Sequence, residues 1–358
     1  MRILVIADRL ILGGLETHII TYTNELLRRG HQLLLYTAHT EPEILAQIDN
    51  KNHNFHYLFW TENPLQDLSG FTPDIIHAHP FTAIVKGYEI AQAFQRPLFI
   101  TMHGLYDFGL DRSPLGYQIS NRVQTIIAVD QAVASVLKSC TPYPEKIVVI
   151  PNGIDLTFFY PRPSNKNEYK NWGLSPEGNI ITIISRFDDG KERPIIQLLQ
   201  CAQVLANSLH GLHLFVVGDG SRFSQIKLLV NQIQAEAQNL SIHLVGRQND
   251  VRPFIDIADL CLACDRTAME AMACRRAVFA MNGCGFAGAI DTENYRKILL
   301  KRSGYREYTD AELVTELLNL IENKPYRKKV ADRGFEIVRH NFNIVDSVNK
   351  LEKIFNCK

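Results

Sequence analysis

The chain has 358 residues, of which 46% are hydrophobic and 21% charged, a balance that fits a globular protein and excludes a disordered or collagen-like chain. At roughly 100 to 200 residues per domain, the length predicts two domains. Lys and Arg total 38 and so do Asp and Glu, so the net charge is zero, where a general nucleic-acid binder would carry a basic excess. The neutrality hides an asymmetry: residues 1–160 hold 11 Lys+Arg against 15 Asp+Glu (11 − 15 = −4), which leaves +4 for the remainder. A basic second half suits an anionic ligand, and an acidic first half opposes firm docking on an anionic membrane. The seven cysteines are odd in number and lack framework spacing, which fits a reducing compartment. No apolar run reaches the roughly 18 residues of a membrane span. Asp8 and Arg9 cut the opening apolar run short of a signal segment. The expected location is cytoplasmic.

In chain order, strands are predicted at 3–7, 32–37, 55–60, 74–79, 98–103, 125–129 and 146–151, short apolar runs that suit parallel strands covered on both faces. A helix is predicted from Gly14 to Arg29, with Leu15, Ile19, Tyr22 and Leu26 on one face and Gly30 ending it. Residues 161–178 open with a polar, proline-bearing stretch that reads as a linker. The alternation then restarts, with strands at 180–185, 213–218, 242–245, 260–263 and 277–281 and helices between them. The last helix, about 343–355, has Ile344, Val348, Leu351 and Phe355 on one face. The expected architecture is α/β: two doubly wound, Rossmann-like domains at 1–160 and 179–340 facing a cleft, with 341–358 as a C-terminal helix.

Candidate site residues collect after predicted strands. Gly13-Gly14-Leu15-Glu16 would let a ligand approach a helix start, or would simply form a turn. It is not the GxGxxG dinucleotide fingerprint, and no acidic residue ends the second strand, so a nicotinamide enzyme is disfavoured. His77 and His79 share a strand face, but no third ligand is evident, so metal is not expected there. His103 is the better site candidate, a neutral imidazole able to hydrogen-bond a sugar hydroxyl, against the equal reading of a structural histidine. Arg186 and Lys191 flank a turn, a fork and a point charge fit for a diphosphate, against the bland reading of a solvated loop. Gly218 and Gly246-Arg247 end strands, where a turn is the simpler reading and contact with a base the functional one. Thr267 and Ala268 are expected to present unpaired N–H groups at a helix start, with Glu270 in the first turns facing the same cleft. Cys261 and Cys264 form CxxC, but positions i and i+3 diverge on a strand, so buried thiols are favoured over zinc.

Taken in order, these segments resemble the family 4 glycosyltransferases of the GT-B fold. The resemblance rests on Gly13-Gly14-Leu15-Glu16, Asp74-Ile75-Ile76-His77-Ala78-His79, Thr101-Met102-His103-Gly104 and Pro151-Asn152-Gly153-Ile154-Asp155. It continues through Ser185-Arg186 to Lys191, Val217-Gly218-Asp219-Gly220, Gly246-Arg247 and Glu270-Ala271-Met272-Ala273. It implies a retaining transferase that moves a sugar from a nucleoside-diphosphate sugar, by family frequency a UDP-sugar, to an acceptor hydroxyl of a polysaccharide, glycolipid or small molecule. It implies a donor site mostly on the second domain, an acceptor site on the first, and a last helix crossing back to the first. Carried over by position, Gly14 approaches the donor phosphate and His103 touches the donor sugar. Arg186 and Lys191 hold the diphosphate, Glu270 holds the ribose, and Arg247 lines the base.

The chain departs from the common pattern. Leu262 stands where the family commonly has a second Glu. Cys264-Asp265-Arg266-Thr267 is a shortened form of the usual glycine-rich loop, Glu192 replaces a Gly, and the segment after Gly283-Cys284-Gly285 differs. A nucleotide-sugar epimerase of the same fold, or a nucleotide-sugar-binding partner without activity, are the alternatives. No cofactor is expected beyond the donor. The sequence has no Asp-x-Asp pair to hold a divalent cation, so metal-independent transfer is expected. Nucleic acid is not an expected partner, and membrane contact is at most transient.

Overall fold

The computed structural model describes residues 1–11, 13–163, 172–174 and 178–356. The chain divides into two compact units, Met1–Asp155 with Phe342–Lys358, and Leu156–Asn341.

The first unit carries β1 (Arg2–Leu10), β2 (Gln32–Thr40), β3 (Phe55–Phe59), β4 (Ile75–Ala78), β5 (Leu98–Met102), β6 (Val123–Ala128) and β7 (Ile147–Val149). They form a parallel sheet in the order β3-β2-β1-β4-β5-β6-β7. Side chains alternate across a strand. Leu4 and Ile6 therefore join one apolar layer with Ile76, Ile84 and Ile100, while Ile3 and Val5 join another with Ile19, Leu26 and Phe99. Two buried layers explain why these strands read as unbroken apolar runs.

The second unit repeats the plan with β8 (Asn179–Ile184), β9 (Leu212–Val217), β10 (Leu240–Gly246), β11 (Leu260–Ala263), β12 (Ala277–Asn282) and β13 (Gly285–Ala289), in the order β10-β9-β8-β11-β12-β13. β13 is antiparallel to β12 and escaped the sequence reading. Its Gly285-Phe286-Ala287-Gly288-Ala289 has little strand propensity, and pairing with β12 overrides it.

The boundary expected after residue 160 falls instead after Asp155. Phe158 lies 3.4 Å beneath the Arg252 guanidinium, and Arg162 pairs with Asp256 at 2.8 Å, so this stretch is built into the second unit. Within the expected linker, Trp172 packs edge-on against Phe215 and His243, while 164–171 and 175–177 lie outside the described residues. The last helix, Ile344–Asn356, belongs to the first unit. The Ile154 N–H donates to the Phe342 carbonyl at 2.6 Å, and Ser347 Oγ donates to the Pro151 carbonyl at 2.9 Å. Phe355 closes against Phe99 and His77. The Pro151 to Asp155 motif therefore serves as the seat of this helix. Among the described residues no helix is long and apolar enough to cross a membrane.

Candidate functional site

In each sheet the strand order reverses once, between β1 and β4 and between β8 and β11. Ligands of open α/β sheets bind at the carboxyl ends of the strands beside such a reversal.

In the first unit that end carries a cluster of histidines. His77 lies in β4 and His79 directly follows it, His103 follows β5, and the helix Gly14–Arg28 supplies His18 and Tyr22. His79 sits at the centre, 1% exposed, with Nδ1 3.0 Å from His103 Nε2 and Nε2 3.2 Å from the Tyr22 hydroxyl. The His18 ring meets that of His103 at 4.9 Å. His77 Nε2 is 2.7 Å from Thr101 Oγ1. Burial lowers the His77 pKa to about 3. Burial, then repulsion from the neighbouring imidazoles, holds that of His79 well below its ordinary value. Both are neutral rings, and among the described residues no group of three or more His, Cys, Asp or Glu is arranged to hold a metal ion. Gly13 caps the helix in extended backbone, and the Glu16 carboxylate lies 2.5 Å from where a Gly13 Cβ would stand, so a side-chain anion already covers this helix start. Beyond the histidines, the exposed rings of Phe81 and Phe108 gather with the partly buried ring of Tyr106. Phe81 holds φ at 73°, a strained value for an aromatic residue, where the Asp8 carboxylate accepts from the Thr82 and Ala83 N–H groups and the Thr82 hydroxyl.

In the second unit the loops after β8, β9 and β10 are laced together by backbone hydrogen bonds. The Phe187 N–H donates to the Asp219 carbonyl at 2.9 Å, and the Gly218 N–H donates to the Gly246 carbonyl at 2.9 Å. Gly218 has φ 143°, and a Cβ there would lie 1.8 Å from the Ser185 carbonyl oxygen, so only glycine permits this approach. Phe187 is fully buried and pins the first loop, while Arg186 and Lys191 on either side of it are exposed. Arg186 pairs with Asp188 at 2.8 Å with 61% of its side chain exposed, a pairing that solvent weakens and an anion can displace. The turn before β13 adds to the same place: a Cβ on Gly283 would stand 2.5 Å from the Gly190 carbonyl oxygen. Arg247 is exposed at the end of β10.

Two expectations for the helix Asp265–Ala273 need correction. Cys264 is its N-cap, so the Ala268 N–H is already bonded to the Cys264 carbonyl at 3.1 Å and is not a spare donor. Of the two expected donors, only Thr267 lies in the first turn, ahead of the first intrahelical bond. Glu270 does not face outward. It is 5% exposed and paired with Arg266 at 2.9 Å, one helical turn away. Burial raises its pKa, and the Arg266 charge offsets this only in part. Leu262 is fully buried in β11, where an ionised carboxylate would be costly without a partner. Cys261 and Cys274 are buried thiols whose pKa burial pushes up to about 12, as inert core cysteines should be. The Glu270 pair predicts a stability effect. Glu270→Gln should destabilise the second unit by about 3 kcal/mol, because Arg266 would keep a buried charge without its partner. Urea unfolding of the variant checks this, and an unchanged midpoint would show that the pair is solvated.

A cavity of about 540 Å³ opens beside edge strand β3, lined by Leu34, Phe55, Tyr57 and Phe71 among others. None of the predicted site residues lines it, and it lies off the strand reversal.

Two Rossmann-like units with basic and glycine-rich loops at their strand ends have the make-up of a GT-B transferase. Residues 12–158 match the family model described as Glycosyltransferase Family 4, and residues 164–336 match Glycosyl transferases group 1. The chain belongs to the family 4-like glycosyltransferases. Over 211 residues it is 22% identical to a D-inositol 3-phosphate glycosyltransferase of Kineococcus radiotolerans, covering 49% of this chain and 48% of that one. The chain thus spans about half the length of this curated relative. HepE of Anabaena, solved in complex with UDP and glucose, superimposes with a TM-score of 0.74 at 19% identity over 99% of both chains. A glycosyltransferase of Rickettsia africae superimposes with a TM-score of 0.75 at 18% identity over 99% of this chain and 97% of that one. At these identities the two structures establish the shared fold.

Proposed function

We propose that the chain is a retaining, metal-independent transferase of the cytoplasm that moves a sugar from a UDP-sugar to an acceptor hydroxyl. The observation that carries this reading is the pair of exposed cations, Arg186 and Lys191, on a pinned loop beside the strand reversal. A leaving nucleoside diphosphate gathers negative charge as its glycosidic bond breaks, and fixed positive groups stabilise it. Arg186, Lys191 and the helix start at Thr267 supply that potential, and HepE, of the same fold, was solved with UDP. Gly218, Gly246 and Arg247 would flank the nucleotide, and Gly13 and Gly14 would let the donor approach the first helix once the Glu16 carboxylate turns aside. His103 would hydrogen-bond the donor sugar, and the exposed rings of Phe81 and Phe108 would meet the acceptor.

In the step itself, the bond from the sugar's anomeric carbon to the diphosphate oxygen breaks. The acceptor oxygen bonds to that carbon on the same face, and its proton passes to the departing diphosphate oxygen. The test is acceptor-dependent release of UDP from a panel of UDP-sugars, with the product's anomeric configuration read by NMR. Turnover should survive excess EDTA and the configuration should be kept. Activity lost in EDTA and restored by Mg²⁺ or Mn²⁺ would overturn metal independence, and an inverted product would overturn retention. Interconversion of the sugar without UDP release would identify an epimerase, and binding without turnover an inactive partner.

A further inference from the structure

An imidazole donates a hydrogen bond only from the ring nitrogen that carries its proton. For His103 that nitrogen follows from a row inside the first unit: Tyr22 hydroxyl, His79 and His103, linked at 3.2 Å and 3.0 Å. Tyr22 and His79 are each 1% exposed, so water does not complete the row.

A neutral His79 has one donor and one acceptor nitrogen, and the row can run in only two directions. Run from His103 toward Tyr22, His79 Nε2–H would donate to the phenol oxygen, and the buried phenol proton would need another acceptor. Among the described residues, the hydrogen bond to His79 Nε2 is the one this hydroxyl makes. Burial raises the phenol's pKa, so the proton stays on this oxygen. Run from Tyr22 toward His103, each proton in the row has an acceptor, as buried polar groups require.

We propose that Tyr22 is a positioning residue: its hydroxyl donates to His79 Nε2, His79 Nδ1–H donates to His103 Nε2, and His103 is thereby held as the Nδ1–H tautomer that bonds the donor sugar. The contact with the sugar rests on the proposed function; the tautomer does not. A protonated His79 would have no acceptor nitrogen and would break the row. Burial and three neighbouring imidazoles, His77, His103 and His18, keep it neutral. The sequence shows Tyr22 only as a member of an apolar helix face. The row appears when β4 and β5 bring His79 and His103 beside that helix.

The tautomer is read from the imidazole ¹⁵N shifts of histidine-labelled protein, with His103 assigned by loss of its signals in His103→Asn. The wild-type signals should show His103 protonated at Nδ1 and bare at Nε2. Tyr22→Phe keeps the ring and removes the donor, so the other tautomer should gain about tenfold in relative population, the net worth of one hydrogen bond. Thr101→Val removes the partner of His77, outside the row, and should leave the His103 signals in place. With a UDP-sugar substrate, Tyr22→Phe should lower kcat up to tenfold with donor KM unchanged. An Nε2-protonated His103 in the wild type overturns the proposal even if the variant fails to fold. So does a Tyr22→Phe spectrum like that of the wild type, or a Thr101→Val spectrum shifted as far as that of Tyr22→Phe. An enzyme that transfers no sugar would refute the proposed function while the spectra still decide the tautomer. The expected spectra with an unchanged kcat would refute the positioning role.

Discussion

Alanine at both Arg186 and Lys191 should weaken binding of the nucleoside diphosphate on the order of a thousandfold while the thermal midpoint stays close to that of the parent. Each charge-assisted hydrogen bond is worth about 1.5 to 3 kcal/mol, and two lost together reach that range. The fold should tolerate the change because both side chains are exposed, and surface substitutions of this kind usually stay within about 0.5 kcal/mol. The loop is held by buried Phe187 and by backbone hydrogen bonds that the substitutions do not touch. Asp188 provides an internal control. It pairs with Arg186 at 2.8 Å, so it competes with the diphosphate for the same guanidinium. Asp188→Asn should therefore hold or improve the affinity that the double variant loses. Titration calorimetry with UDP and with GDP checks both. Wild-type affinity in the double variant for both nucleotides would move the diphosphate site elsewhere.

The sheets were legible because burial on both faces writes continuous apolar runs into the strands, and Arg2–Leu10 or Leu98–Met102 need no other signal. β13 was not, because its glycines pair with β12 for reasons that lie outside the segment. The placement of candidate residues was legible where they follow a strand end, as with His103 after β5, Arg186 after β8 and Gly218 after β9. It failed where register or burial decides. The helix holding Glu270 starts at Asp265, in the left-handed region at φ 46°, an unusual opening for a non-glycine residue, and with so early a start the Ala268 N–H is already bonded to the Cys264 carbonyl. Arg266 and Glu270 stand at the i, i+4 spacing of a helix ion pair, a visible signal. Their burial comes from packing against the rest of the unit and is visible only in three dimensions. The domain boundary missed by five residues for the same kind of reason: Phe158 and Arg162 look like linker until Arg252 and Asp256 are seen beside them.

The histidine cluster should make the first unit the acid-labile half of the protein. His77 and His79 start from an unfolded pKa near 6.5. In the fold, burial takes the first to about 3 and holds the second well below its ordinary value. Between those limits the unfolded chain binds two protons that the folded unit refuses. Stability is therefore full above pH 6.5 and falls as the pH drops toward the folded values. Each group contributes a slope of about 1.4 kcal/mol per pH unit, so two give about 2.7, and roughly 4 kcal/mol is lost by pH 5. Asp67 and Glu352 have lowered pKa values and add to the loss at still lower pH. In the second unit His243, lowered to about 4 chiefly by burial, acts in the same direction. There, however, burial raises Glu270 and Asp256, which bind protons more readily folded than unfolded and so oppose the loss. The two tryptophans, Trp60 in the first unit and Trp172 in the second, let the units be followed separately. In Trp172→Phe protein, the Trp60 urea midpoint should fall steeply between pH 7 and pH 5. In Trp60→Phe protein, the Trp172 midpoint should move much less. His77→Leu in the first background should halve the slope by removing one of the two titrations, whatever it costs at neutral pH through the Thr101 hydroxyl. A Trp60 midpoint that does not change over this range would mean that water or a proton reaches the cluster in the folded state, and the neutral row from Tyr22 to His103 would then lack its foundation.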